Sequence, residues 1–417
     1  MSGQEHRSGP GRARPLAHDG VPYWLDEPYE SRPPLEGDVE VEACVIGAGV
    51  GGLSCARRLA SHGIETLVLE RDTVASGASG RNGGFLIAGL APFHNDAIDL
   101  WGRDYAATVY ARTLEAQQEM YALAAELGVG DAVRRVGSLR VSASEEEADH
   151  VRKHAAALTE DGFPAQLLER DELPAALQGS AWNACLTDHD GSLQPARWIR
   201  ALAGDAERAG VRICEASAVT PPVNAPGEGP IAVATAAGDG GPAAGGTVRA
   251  RHVIVAADGA LPRLVPSYDG RVRARRLHMV ATEPLPERIV DQLVYSRWGY
   301  EYFQQRPDGR VLAGGFGDVD GDASYTDGGF GDPRIWDRIE RYLREDIGVD
   351  APITHRWTGT VGYSEERRPF AGPVPARPGL WVAGGYSGTG NVPGFLAGQE
   401  LADTIAGAKT GEPLFQS

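Results

Sequence analysis

The sequence is nearly without lysine. Of its 40 basic residues only Lys153 and Lys409 are lysines, the rest being arginine. Schiff-base or lysine-base chemistry therefore has few candidates. Cysteine is scarce as well. Cys44, Cys55, Cys185 and Cys214 stand far apart, with no CxxC pair and no Cys/His cluster at metal-ligand spacing. That excludes a disulfide scaffold and leaves no metal site to expect. It fits small buried thiols in a reducing cytoplasm. No run of about 18 apolar residues occurs, so no membrane-spanning helix is expected. The first 37 residues are polar, rich in Gly, Pro, Arg and Ser, and lack the apolar stretch of a secretory signal. They read as a disordered N-terminal arm. Excess positive charge is missing too: 57 acidic against 40 basic residues leave a net charge of −17. Such a surface repels phosphate backbones and argues against a nucleic-acid partner.

What is present is length and glycine. The chain has 417 residues, 42% of them hydrophobic, which is enough for two to three domains with real cores. Its 55 glycines follow no collagen-like period and suggest close backbone approaches, some of them to a ligand. Order is expected from about Val39. Residues 40–46 end in an apolar run and read as a buried strand. Gly47-Ala-Gly-Val-Gly-Gly52 follows, then a helical period over 53–60 closed by Gly63, then a second strand over 66–70. This is a βαβ unit with a right-handed crossover.

Downstream, a Gly/Ser-rich loop covers 75–84, and helices are predicted over 104–127 and 145–160, with a strand over 138–143 between them. Pro195 starts a helix that runs to about Arg208. Strand candidates follow at 212–214, 231–235 and 247–250. The continuous apolar run 252–257 fits a central parallel strand. Gly238 to Gly246 reads as a loop. From 275 to 315 the pattern is strand after strand, with a turn at 306–309. A helix over 333–344, a strand over 380–383 and a helix over about 394–405 complete the chain.

The fingerprint Gly47-x-Gly49-x-x-Gly52 has its full context: a strand before, a helix after, and acidic Glu70 at the end of the next strand, 21 positions beyond Gly49. Gly47 permits the tight turn, Gly49 lets the backbone approach a pyrophosphate, and Gly52 allows close helix–strand packing. Ala48, Val50 and Gly51 complete the turn whose amides, at the positive end of the helix, meet the phosphates. Glu70 can accept hydrogen bonds from a ribose. Only one fingerprint occurs, and no CxxxxC redox pair follows it, which argues against a disulfide reductase.

Together with the fingerprint, the stretch Ser76-Gly-Ala-Ser-Gly-Arg-Asn-Gly-Gly84 resembles the FAD-dependent oxidoreductases of the D-amino-acid oxidase superfamily, in the branch of glycine/D-amino acid oxidases and gamma-glutamylputrescine oxidases. Further matches follow in order: Arg32 to Gly37, Gly191 to Pro195, Val253 to Gly259, Ala281 to Leu285, Asp308 to Gly315, Trp357 to Gly359 and Gly384 to Gly390. The resemblance covers about residues 30 to 410.

It implies an α/β fold: a Rossmann-like FAD-binding domain plus an α+β substrate domain with a mainly antiparallel sheet. The implied boundaries are 38–90, 180–262 and 352–417 for a discontinuous FAD domain, and 91–179 and 263–351 for the cap. The implied reaction is oxidation of a C–N bond of a small amine or amino acid by hydride transfer to flavin N5. The imine is then hydrolysed, with molecular oxygen as acceptor. The alternative is a flavin dehydrogenase acting on a 2-hydroxy acid or a secondary-metabolism intermediate with another acceptor.

Carried over residue by residue, Arg71 follows the ribose acid, and Ser79, Arg81, Asn82 and Gly83 run beside the flavin. Val219 matches the position facing adenine. Ala257 and Gly259 end the central strand, and Gly385, Gly388, Thr389 and Gly390 precede a helix aimed at the pyrimidine edge of the flavin. For substrate contact the candidates are Tyr302 and Gln304, whose i, i+2 spacing puts both on one side of a strand, and Tyr386. Arg276, Arg297 or Arg367 is a possible carboxylate clamp, and His278 reads as structural. The chain has no Cys after Cys214 and no His between His62 and His94, where covalent relatives attach their flavin, so FAD is expected to be non-covalent. Val392 stands at about the place where sarcosine-oxidase relatives carry a Lys, and Thr389 where many relatives have His. Gln304 replaces an Arg common in that strand.

Overall fold

The apolar runs of the first βαβ unit build the centre of a seven-stranded sheet. A computed structural model describes residues 18–223, 229–236, 245–326, 328, 331–409 and 413–416. Val39–Ile46 is flanked by Thr66–Leu69 and by Thr247–Val255, all parallel. The order is 212–214, 66–69, 39–46, 247–255, 380–384 and 370–373, with 231–234 antiparallel on the 247–255 strand. The two separate strand candidates at 247–250 and 252–257 are one strand, because residues 248–255 pair with 39–46 almost without a break. The expected Gly238–Gly246 loop lies largely outside the described residues.

Helices Val50–Ser61, Pro195–Arg208 and Asn391–Ile405 pack together on one face of this sheet through Leu53, Leu59, Trp198, Leu202, Phe395 and Leu401. The Pro195–Arg208 span holds as expected, and the first helix begins at Val50, three residues before the expected start at 53. The last helix begins at Asn391, three residues earlier than the periodicity indicates. Pro393 is tolerated there because first-turn amides need no intrahelical acceptor.

The second sheet has nine strands in the order 18–19, 353–364, 272–284, 310–315, 301–305, 293–296, 138–141, 183–187 and 166–169. It is mainly antiparallel, with two parallel pairs. Period-2 alternation gives it two different faces. Val280, Phe303, Val311 and Ala313 lie under helix Pro333–Glu345 through Ile335, Ile339, Tyr342 and Leu343. Met279, Tyr302 and Leu312 face the seven-stranded sheet and its helices.

Two boundary expectations need correction. Ile353–Ser364, expected in the first domain, lies in the second sheet, because it pairs with Val272–Pro284 over nearly its whole length. Asn183–Thr187 joins that sheet as well. The disorder expected for residues 1–37 does not hold from residue 18 onward. Trp24 is 0% exposed. Its indole Nε1 donates to the Asn82 carbonyl at 2.7 Å, and the Trp24 carbonyl accepts from Gln194 Nε2 at 3.0 Å. Glu215, itself buried, accepts from the Tyr29 hydroxyl and from the Arg32 amide at 2.7 Å. A polar composition concealed a few anchors, and one buried Trp outweighs the ordering entropy of several residues.

Candidate active site

The tight turn after the first strand is shaped by glycine. Gly47 has φ +107°, and a side chain at Gly52 would stand 2.0 Å from the Gly47 carbonyl. The helix that follows has no side-chain cap at Gly49. The Val50 amide donates to Ser79 Oγ at 3.0 Å, which leaves later first-turn amides to face the space beyond. Glu70 accepts from the Ala48 amide at 2.8 Å and the Asp72 amide at 3.0 Å. Burial pushes its carboxyl pKa up, and the two amides oppose the shift.

Residues 78–84 form a short helical turn and a glycine corner pinned from several sides. Arg81 Nε donates to the Ser76 carbonyl at 2.6 Å, and the Arg81 carbonyl accepts from Trp357 Nε1 at 2.8 Å. Asn82 and Asn391 pair through their amides at 3.2 Å in both directions. Asn391 Nδ2 also donates to the Phe85 carbonyl at 2.8 Å. The C-terminal loop is held by Asp258, whose carboxylate accepts from the Gly362 amide at 2.7 Å and the Gly385 amide at 2.9 Å. Helix Asn391–Ile405 likewise starts without a side-chain cap, at Gly390.

These pieces enclose one cavity of about 770 Å³ between the two sheets. On one side lie Gly49, Val50 and Gly51 at one helix N-terminus and Gly388 to Pro393 at the other, joined by Ser79, Arg81, Asn82 and Gly83. The opposite wall is the cap sheet. Arg140, Tyr295, Tyr302, Gly314 and Met279 are cross-strand partners in one row, so their side chains share a face. A side chain at Gly314 would meet Met279 Sδ at 2.3 Å and Tyr302 Cε2 at 2.7 Å. Down the 272–284 strand, Leu277, Arg275 and Arg273 continue the wall. Burial raises the Tyr295, Tyr302 and Tyr386 phenols far above neutral pH. Among the described lining residues there is no histidine and no lysine.

The sequence candidates divide accordingly. Gly49, Val50, Gly51, Ser79, Arg81, Asn82, Gly83, Tyr302, Tyr386, Gly388, Thr389 and Gly390 line the cavity. Gly47, Ala48 and Gly52 shape its floor from behind. Ala257, Gly259 and Gly385 support the Asp258 corner rather than the wall. Glu70, Arg71 and Val219 lie outside the wall, Arg71 against Asp72 and Val219 bridged to Thr235.

Gln304 is a correction. It shares Tyr302's side of the strand as expected, but its Nε2 donates to the Gly83 and Gly84 carbonyls, so the loop covers it. Tyr386 lies in the C-terminal loop as expected, its backbone bridged to Tyr363; its buried hydroxyl has no hydrogen-bond partner among the described residues and lies 2.9 Å from where a Gly51 side chain would begin, at the glycine turn. Arg276 and Arg297 are paired to Asp320 and to Glu301 and Asp318. Arg367 reaches the wall from an exposed position. His278 is structural, accepting from the Asp332 amide at 2.8 Å. Asp258, Asn391, Arg140 and Arg275 were missed. Asp258 stands in a quoted motif, Ala-Ala-Asp-Gly, where an acid after a buried apolar strand is a readable signal.

A glycine cradle, an orphaned hydroxyl beside it and two uncapped helix N-termini on one cavity fit an extended dinucleotide with a redox-active ring. Such a fold and site define a flavin oxidoreductase. The family model described as FAD dependent oxidoreductase (DAO) matches residues 42–404, and the chain belongs to that family of FAD-dependent enzymes. Similar proteins include the probable oxidoreductase OrdL of Rhizobium meliloti, 28% identical over 93% of this chain and 89% of that protein. The gamma-glutamylputrescine oxidoreductase of Escherichia coli is 26% identical over 89% and 85%. Among solved structures, glycine oxidase from Geobacillus kaustophilus superposes with a TM-score of 0.73 at 22% identity, covering 91% of this chain and 99% of that one. Among the described residues no helix is long and apolar enough to cross a membrane.

Proposed function

We infer that the enzyme oxidises the C–N bond of a small amine or amino acid, with non-covalent FAD and with molecular oxygen as the acceptor. The observation that carries the reading is the cavity of about 770 Å³ with two helix N-termini on one side and an aromatic and arginine-bearing sheet face on the other. FAD, when bound, supplies a two-electron acceptor for hydride from the carbon beside the amine nitrogen. Gly47 to Gly52 would hold its pyrophosphate, Glu70 its ribose, and residues 79–83 and 388–390 its ring. The amides at Asn391 and Val392 and the positive end of their helix favour negative charge placed against them. Tyr302, Met279 and Leu277 offer a surface that orients an alkyl amine and excludes water. The described wall residues include no histidine and no lysine, and in this reading the substrate reacts as the neutral amine.

All four cysteines are buried and absent from the wall, which supports non-covalent binding. Peroxide release and dye reduction, measured side by side over amines, amino acids and 2-hydroxy acids, test the reading. Peroxide formation with an amine or amino acid, together with ammonia or a shortened amine, is the expected outcome. Dye reduction by a 2-hydroxy acid alone rejects it.

A further inference from the structure

Arg140 stands on the cavity wall with no hydrogen bond and no ion pair among the described residues. It lies in strand Ser138–Val141 as the cross-strand partner of Tyr295, in the row that continues to Tyr302. Its guanidinium sits 5.1 Å from the centre of the Phe93 ring and 5.7 Å from that of Tyr295. The Tyr295 and Tyr302 rings are 5.8 Å apart. Asp190, which is buried, is not paired with Arg140: it accepts from the Ala88 amide, Gln117, Ser138 and Thr187. Arg273 and Arg367 likewise make no side-chain hydrogen bond or ion pair among the described residues, but Arg273 stands 3.8 Å from the centre of the Tyr325 ring and Arg367 is exposed, and the two remaining wall arginines are hydrogen-bonded. Arg275 is 8% exposed but donates to Ser324 Oγ at 3.0 Å, and Arg81 donates to two carbonyls. Around Arg140 the wall is apolar, with Phe85, Ile87, Ala91 and Pro92.

A half-buried guanidinium with five unused donors beside an apolar groove is built for an anion arriving on a hydrocarbon chain. We propose that Arg140 forms a distal carboxylate subsite: the substrate presents its amine beside Tyr302 and carries a carboxylate several bonds away, held by Arg140. This rests on the amine-oxidising reading and specifies its substrate class.

The test uses the FAD-loaded full chain and the variants R140Q, R140K and R275Q. Unreactive pentanoate and uncharged pentanamide are titrated against the flavin spectrum, and 5-aminopentanoate is compared with pentylamine as an anaerobic reductant. Pentanoate is expected to bind at least about tenfold more weakly to R140Q, with R140K in between and pentanamide unchanged. 5-Aminopentanoate is expected to lose its advantage over pentylamine in R140Q. Absence of pentanoate binding to the wild type, equal affinity in R140Q, or a loss seen only in R275Q overturns the proposal. Weakened pentanoate binding in R140Q, with no reduction by either amine, keeps the anion subsite and rejects the amine-oxidising reading instead. Should R140Q fail to retain flavin, the wild-type contrast between pentanoate and pentanamide, with R140K, decides.

Discussion

Single residues set the two ends of the site. At Gly52 the helix touches the preceding turn so closely that even a methyl group has no room. Gly52→Ala is expected to purify without flavin, while circular dichroism shows the chain still folded. A yellow G52A protein would mean that helix and strand can part. Tyr302 lies on the cap-sheet wall of the cavity, and burial holds its phenol protonated well past neutrality. The rate of anaerobic flavin reduction should therefore rise with pH as the substrate ammonium loses its proton. It should show no enzyme ionisation near neutrality, and Tyr302→Phe should keep that pH limb while weakening substrate binding. A limb lost in Y302F would make the phenol a proton carrier. The glycines of the first turn were legible from their spacing, and Tyr302 from the family resemblance together with its i, i+2 placement beside Gln304. Asn391 and Arg140 were not, because their roles arise from contacts with Asn82 and Tyr295, which no local pattern reveals.

At the scale of elements, periodicity located the long helices and the parallel strands, since each buries one face or a continuous run. It failed where few residues anchor a polar segment. Residues 18–37 strap the cap sheet to the glycine loop 78–84 through Trp24, whose indole holds the Asn82 carbonyl. Trp24→Ala is expected to cost about 3 kcal/mol or more in unfolding free energy. It should also weaken FAD retention, read by thermal denaturation and by flavin content after dialysis. Unchanged flavin content would separate the strap from the site. The strand at 353–364 was assigned to the wrong domain because a cross-sheet partner, not its own pattern, decides membership.

Over the whole molecule, the two sheets meet across the cavity, and buried histidines link its stability to acid. His278 is held neutral by burial, with its pKa lowered to about 4, and His154 is lowered in the same direction. Both bind protons more readily when unfolded, so their contribution is present above pH 6.5 and is lost as pH falls toward 4. For His278 this is on the order of 3 kcal/mol. Melting temperature should fall across that window, and His278→Asn, which keeps an acceptor for the Asp332 amide, should flatten part of the fall. A slope unchanged in H278N would place the acid sensitivity elsewhere. The acidic composition, informative about nucleic acid, was silent on this, since titration depends on which groups are buried.

The claim that joins these scales is that a bound flavin faces a substrate amine across the cavity. Anaerobic addition of amines and amino acids to the purified FAD-loaded protein, followed by its visible spectrum, tests it most directly. Bleaching of the flavin band by at least one amine or amino acid, reversed on admitting oxygen or a dye, is the result expected. A protein that takes up no flavin, or a bound flavin that no member of the panel bleaches, would contradict the account.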